Sequence, residues 1–146
     1  MFVKLFSIMV AISIIVIMSA LGFMAADRGI PIELIKVESS TPVVRPGGKL
    51  EWRITIIQHK RCHTVSNRTL IDARGKRYPL PVTEYQAGIG PVGTPQDILV
   101  SIPIPTDMAI GTARYEVSTS YRCNALHNIW PIYSPYRPVF FEVVML

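Results

Sequence analysis

The run Leu5–Ala26 constrains this chain more than any other feature. It holds 22 residues without a charge or a proline, interrupted only by the hydroxyls of Ser7, Ser13 and Ser19. About 20 such residues suffice to cross the hydrocarbon core of a bilayer. A helix built from this run has no polar side to turn towards water. Residues 1–26 are therefore expected to form an N-terminal transmembrane helix that is kept as an anchor. The alternative is a secretory signal cut near Ala20-Leu21-Gly22, although the apolar run continues beyond the length a signal core needs. Lys4 precedes the run, while Asp27 and Arg28 cancel behind it. That bias places the amino terminus in the cytoplasm and the remainder on the exported, periplasmic or extracellular, side.

Residues 27–146 have the length of one domain with a single core. Prolines and glycines punctuate them, and no long stretch keeps a helical period. Short alternating or β-branched runs appear instead. Leu50–Gln58 sets Leu50, Trp52, Ile54 and Ile56 on one face against Glu51, Arg53 and Thr55 on the other. Further strands are expected at Ile32–Glu38, Thr69–Ala73, Arg77–Leu80, Ile98–Ile104, Ala113–Cys123 and Pro138–Val144. Arg74-Gly75-Lys76 reads as a turn, and Glu84–Gln96, rich in glycine and proline, as a loop. About seven short strands with turns between them predict an all-β sandwich or barrel.

Two cysteines, Cys62 and Cys123, each border an expected strand, and the expectation is a disulfide that meets across the sandwich. Two free thiols are the alternative. With these cysteines, the seven strands and Tyr121-Arg122-Cys123, the domain resembles an immunoglobulin-like or fibronectin-like sandwich, in which a tyrosine two residues before the second cysteine is common. Trp52 precedes Cys62, whereas the core tryptophan of antibody domains follows their first cysteine. The stretch from Ile104-Pro105-Thr106-Asp107 to Tyr115 also looks like the lead into a strand in bacterial and phage adhesion modules. In overall style the sequence resembles bacterial or phage envelope and virion-associated proteins.

A second resemblance is to the cupredoxins, small sandwiches that hold copper with two histidines, a thiolate and a methionine. Cys123 and His127 have a spacing of that type, and His59 or His63 lies upstream. No methionine follows His127 before Met145. With both thiols free, Cys62, Cys123, His127 and His59 or His63 also match the donor types of a zinc site. A disulfide would consume the thiolates of either set, so the leading expectation is no metal and no cofactor.

From Arg45 to Arg77 nine basic residues stand against two acidic ones, a net +7. They suggest a cationic face at Lys60, Arg61, Arg74, Lys76 and Arg77, suited to an anionic envelope surface or an acidic protein. No nucleic-acid recognition motif accompanies it. The segment 128–137 carries Trp130, Tyr133 and Tyr136 between prolines, either as binding anchors or as a cap on the core. No nucleophile elbow, zinc-protease, nucleotide or redox motif occurs. The sequence therefore predicts a membrane-anchored module that binds and does not catalyse. A passive assembly subunit is the remaining alternative.

Overall fold

A computed structural model describes residues 2–39, 43–135 and 138–145. The chain opens with helix α1, Phe2–Ala26, whose apolar side chains are exposed on all sides from Val3 to Phe23. At 1.5 Å per residue its 25 residues extend about 37 Å. Ser7 and Ser13 donate to the carbonyls of Val3 and Met9, each at 2.9 Å, so these hydroxyls make no demand on the surroundings. The helix is long and apolar enough to span a membrane.

Only residues 27–31 separate α1 from a domain built of strands: β1 Ile32–Ser39, β2 Val43–Val44, β3 Lys49–Gln58, β4 His63–Ile71, β5 Arg77–Pro79, β6 Thr83–Tyr85, β7 Pro95–Pro103, β8 Gly111–Arg122, β9 Ile132–Tyr133 and β10 Val139–Val143. One sheet has the order β1-β3-β7. The other runs β2-β10-β8-β4-β5, with β6 also on β4 and β9 also on β8. β2 and β10 run parallel, and the remaining pairs are antiparallel.

The alternation of β3 is realised: Leu50, Trp52 and Ile56 are buried and Ile54 is half-buried. These side chains meet Leu70 of β4, Tyr115 of β8 and Phe141 and Val143 of β10 in one core, joined by Ile102 of β7. The Trp52 and Tyr115 rings span the two sheets with centroids 5.0 Å apart. This core fills the end of the domain far from α1. A smaller cluster of Cys62, Tyr121 and Ile132 closes the end next to α1.

Two expectations change. β4 begins at His63, not Thr69, because its inner positions Thr64, Ser66 and Arg68 are polar and show no hydrophobic alternation. Ser66 is paired with Thr119 of β8 through their hydroxyls at 3.0 Å. The disulfide also lies within one sheet instead of across the two. β4 and β8 pair from His63↔Arg122 to Ile71↔Arg114, and Cys62 and Cys123 extend that register by one step. Their Cα atoms are 4.3 Å apart, near the spacing of facing residues in a non-hydrogen-bonded antiparallel pair.

The expected loop at Glu84–Gln96 takes in the end of β6 and the start of β7, and between them it is shaped by buried Gln58. The Gln58 Oε1 accepts the Ile89 N–H at 2.6 Å, and its backbone carbonyl accepts the Gly93 N–H at 2.7 Å. Gly88 adopts φ +78° against that side chain, where a Cβ would lie 2.5 Å from Oε1.

Candidate functional site

At the end of the domain next to α1, side-chain contacts tie together segments far apart in the sequence. Beyond Cys123 the chain makes one short 3-10 helix, Ala125–Asn128. Its cap, Asn124, accepts the His127 N–H on its side-chain oxygen and donates from Nδ2 to the Met24 carbonyl at 3.2 Å. His127 is fully buried, and its Nδ1 accepts the Cys123 N–H at 3.1 Å. Arg28 then reaches the carbonyls of Trp130 and Pro131 at 3.3 and 3.1 Å, with its guanidinium 3.8 Å from the centre of the Trp130 ring. Lys60 pairs with Asp27. Two segments about 100 positions apart are thereby joined at the foot of the helix.

The aromatic residues of this segment do not cap the core. Trp130 is 56% exposed and Tyr133 63%, and Ile129 beside them is 86% exposed. Tyr136, expected in the same group, lies outside the described residues.

The basic residues divide into two groups instead of forming one face. Lys60 and Arg61 sit in the β3–β4 connection beside the disulfide. Arg74, Lys76 and Arg77 sit at the other end of β4, about 26 Å away for a nine-residue strand. Lys76 bonds Asp107 at 2.5 Å, and Arg77 lies 4.0 Å from Glu116. The turn that carries them is organised by buried Asp72, which accepts the backbone N–H groups of Arg74 and Lys76 at 2.9 Å.

Neither histidine–cysteine set is assembled. Both sulfurs are in the 2.01 Å bridge. His59 faces Glu33 at 2.9 Å, His63 faces Glu84, and His127 is turned to backbone. Among the described residues no three metal-ligating side chains cluster.

A cleft of about 770 Å³ separates the two core clusters. Its floor is Trp52, Ile54 and Ile56 of β3 and Tyr115 and Val117 of β8, and β1 forms one rim. Leu34 and Val37 on that rim are 41% and 46% exposed. Sequence reading found these residues as strand positions but not as a cleft, because its lining is drawn from segments far apart in the chain, from Ile30 to Val139. The lining is apolar apart from a few groups, among them Glu33, His59, Thr119 and Ser134. Burial raises the pKa of the Tyr115 and Tyr121 phenols, partly opposed at Tyr115 by the charge and hydrogen bond of Arg68, so both stay neutral at physiological pH.

No family model matches the chain, and no curated protein does either. Among solved structures it is similar to the Pseudomonas fluorescens alkylpurine DNA glycosylase AlkC bound to DNA containing an abasic site analogue. That likeness has a TM-score of 0.47 and 13% identity over 80% of this chain and 31% of that one. It is also similar to Spo0M, a sporulation control protein of Bacillus subtilis, with a TM-score of 0.44 and 11% identity over 81% of this chain and 51% of that one. The chain thus spans less than a third of the first and about half of the second.

Proposed function

We propose that this chain is a membrane-anchored, non-catalytic binding module on the exported side of a membrane, and that its ligand is a lipid acyl chain taken between the two sheets. The domain is read as an immunoglobulin-like sandwich. In support, β1, β3 and β7 fall in the order of one sheet of that fold, and β2, β10, β8, β4 and β5 in the order of the other, with a parallel β2–β10 pair. The disulfide supports an oxidising compartment.

The cleft carries the reading. Its volume lies in the range of ordinary ligand sites. Its lining offers side chains of Ile, Val, Trp and Tyr with few hydrogen-bonding groups. A peptide drawn fully inside it, away from the free edge of β1, would leave backbone amides unsatisfied, at a cost of about 1–3 kcal/mol each. An acyl chain carries no such groups. The cleft also begins at Ile30 and Ile32, a few residues past the end of α1, so its near end lies beside the bilayer that α1 crosses.

The test is photocrosslinking of the full chain in nanodiscs with lipids that carry a diazirine in the acyl chain. Crosslinks on β3 and β8 in addition to α1 are expected, and Val117→Trp, which fills the cleft from β8, should remove them with the near-ultraviolet dichroism retained. Crosslinks confined to α1 in the wild-type chain would refute the reading.

A further inference from the structure

We infer that the segment Ile129–Pro131 is a membrane-docking element, seated in the lipid headgroup layer on the exported side and held there by Arg28. The inference rests on the reading of α1 as a transmembrane anchor and is independent of the cleft.

The position follows from contacts to the helix end. The hydrocarbon core of a bilayer is about 30 Å thick, and the headgroups bring the total to about 40–45 Å. That leaves roughly 5–8 Å of interfacial layer on each side. Asn124 donates to Met24 within the last turn of α1. Arg28, two residues beyond that helix, binds the Trp130 and Pro131 carbonyls and covers the Trp130 ring. Groups in direct contact with the last turn stand at the height of that turn whatever the tilt of the helix. The loop therefore lies in the interfacial layer as soon as α1 spans the core.

The chemistry at this height is the kind the layer accepts. Ile129 and Trp130 are an exposed apolar pair, 86% and 56% accessible, and Tyr133 follows at 63%. In water such a patch has a cost. At the headgroup level, tryptophan and tyrosine place the ring among the upper acyl carbons and the polar edge among the headgroups. Arg28 and Arg61 add positive charge at the same end, which the phosphates of the headgroups can meet. Lys60 holds Asp27, the acid nearest the helix end, so that carboxylate meets a cation before it meets a phosphate.

A protein partner for the same aromatics is the competing occupant. It would have to approach a surface already lying against the bilayer. The contacts of Arg28 and Asn124 favour the lipid.

The experiment uses the full chain in nanodiscs of phosphatidylcholine and phosphatidylglycerol, with and without lipid brominated in the upper part of the chain. The emission of Trp130 is taken as the difference between wild type and Trp130→Phe, which removes any quenching of Trp52. The inference expects bromolipid to lower that difference by roughly half or more, as for an interfacial tryptophan. Arg28→Ala should restore much of the lost emission while the chain stays in the membrane. A chain that resists alkaline carbonate but whose Trp130 is quenched by aqueous iodide and not by bromolipid would overturn the docking and leave the anchor standing. Release of the chain by carbonate would overturn the anchor, and the docking with it.

Discussion

Removal of the disulfide tests the fold at its best-defined point. The bridge joins residues 61 positions apart, and the chain-entropy treatment of a loop that long gives about 4 kcal/mol of stabilisation at 25 °C. The native ladder contributes the alignment: nine residue pairs between β4 and β8 already place Cys62 opposite Cys123, so the bridge has little to rearrange in the folded state. Its effect should fall on the unfolded chain. Alanine is the better replacement for both cysteines, since Cys62 is buried among Tyr121 and Ile132 and a serine would add an unpartnered hydroxyll group there. With about 2.1 cal/mol/K per residue of unfolding entropy over a domain of 120 residues, a loss of about 4 kcal/mol lowers the melting temperature by about 16 °C. The assay is urea unfolding of the full chain in micelles, followed by near-ultraviolet dichroism, with the m-value expected to rise as the unfolded state expands. A loss below about 1 kcal/mol with an unchanged m-value would refute the reasoning, because the bridge would then not be what restrains the unfolded chain.

Two further outcomes follow from the polar and backbone details. Burial pushes the Asp72 carboxyl up, but hydrogen bonds from the backbone of Lys76, Ala109 and Arg74 and from the Tyr78 hydroxyl outweigh it and hold the pKa below the usual carboxylate value. A group depressed in the folded state adds stability above its unfolded pKa of about 3.9 and loses it as the pH falls through the folded value. Asp72→Asn should therefore flatten the decline of the urea midpoint below about pH 4, and an unchanged acid limb would count against the assignment. Gly90 has φ +75°, and a Cβ there would lie 1.9 Å from the Gln96 Oε1. Gly90→Ala should cost at least about 1 kcal/mol by urea midpoint, and a neutral result would show that the loop relaxes freely.

What the sequence made legible follows the physical range of each signal. The apolar run of α1 and the alternation of β3 are local patterns, and both appear in the structure within a few residues of where they were read. The inner face of β4 includes Thr64, Ser66 and Arg68, of which Ser66 meets Thr119 of β8 and Arg68 reaches the β5–β6 connection. There Arg68 donates to the Pro81 carbonyl at 3.0 Å. A strand with polar residues on its inner face has no hydrophobic period to betray it, and the first six residues of β4 carry no such signal. The spacing of the basic residues was hidden for a related reason. Charge summed along the chain adds Lys60 to Arg77, while an extended strand between them carries their groups to opposite ends of the domain. The aromatic segment was visible as a motif, but its place depends on Arg28 and Met24, which lie about 100 positions earlier. No local signal encodes that pairing.

The contacts at the foot of α1 also bear on how such a module would work. A five-residue connection alone would let the domain swing over the bilayer, and the cleft would meet the membrane only in some orientations. Three ties remove that freedom: Asn124 to Met24, Lys60 to Asp27, and Arg28 to the Trp130 segment. Each acts on the end of the sheet that the disulfide and buried His127 already hold together. Pro31, fully buried and accepting the His59 N–H at 2.7 Å, passes the same constraint into β1, the rim of the cleft. On the reading proposed above, the same few residues that hold the loop at the interface would set the height of the cleft above the bilayer. For a ligand that must leave the membrane tail by tail, a fixed and close opening shortens the path through water, where each exposed methylene costs about 0.8 kcal/mol. On that reading, rigidity at the anchor is part of the binding chemistry.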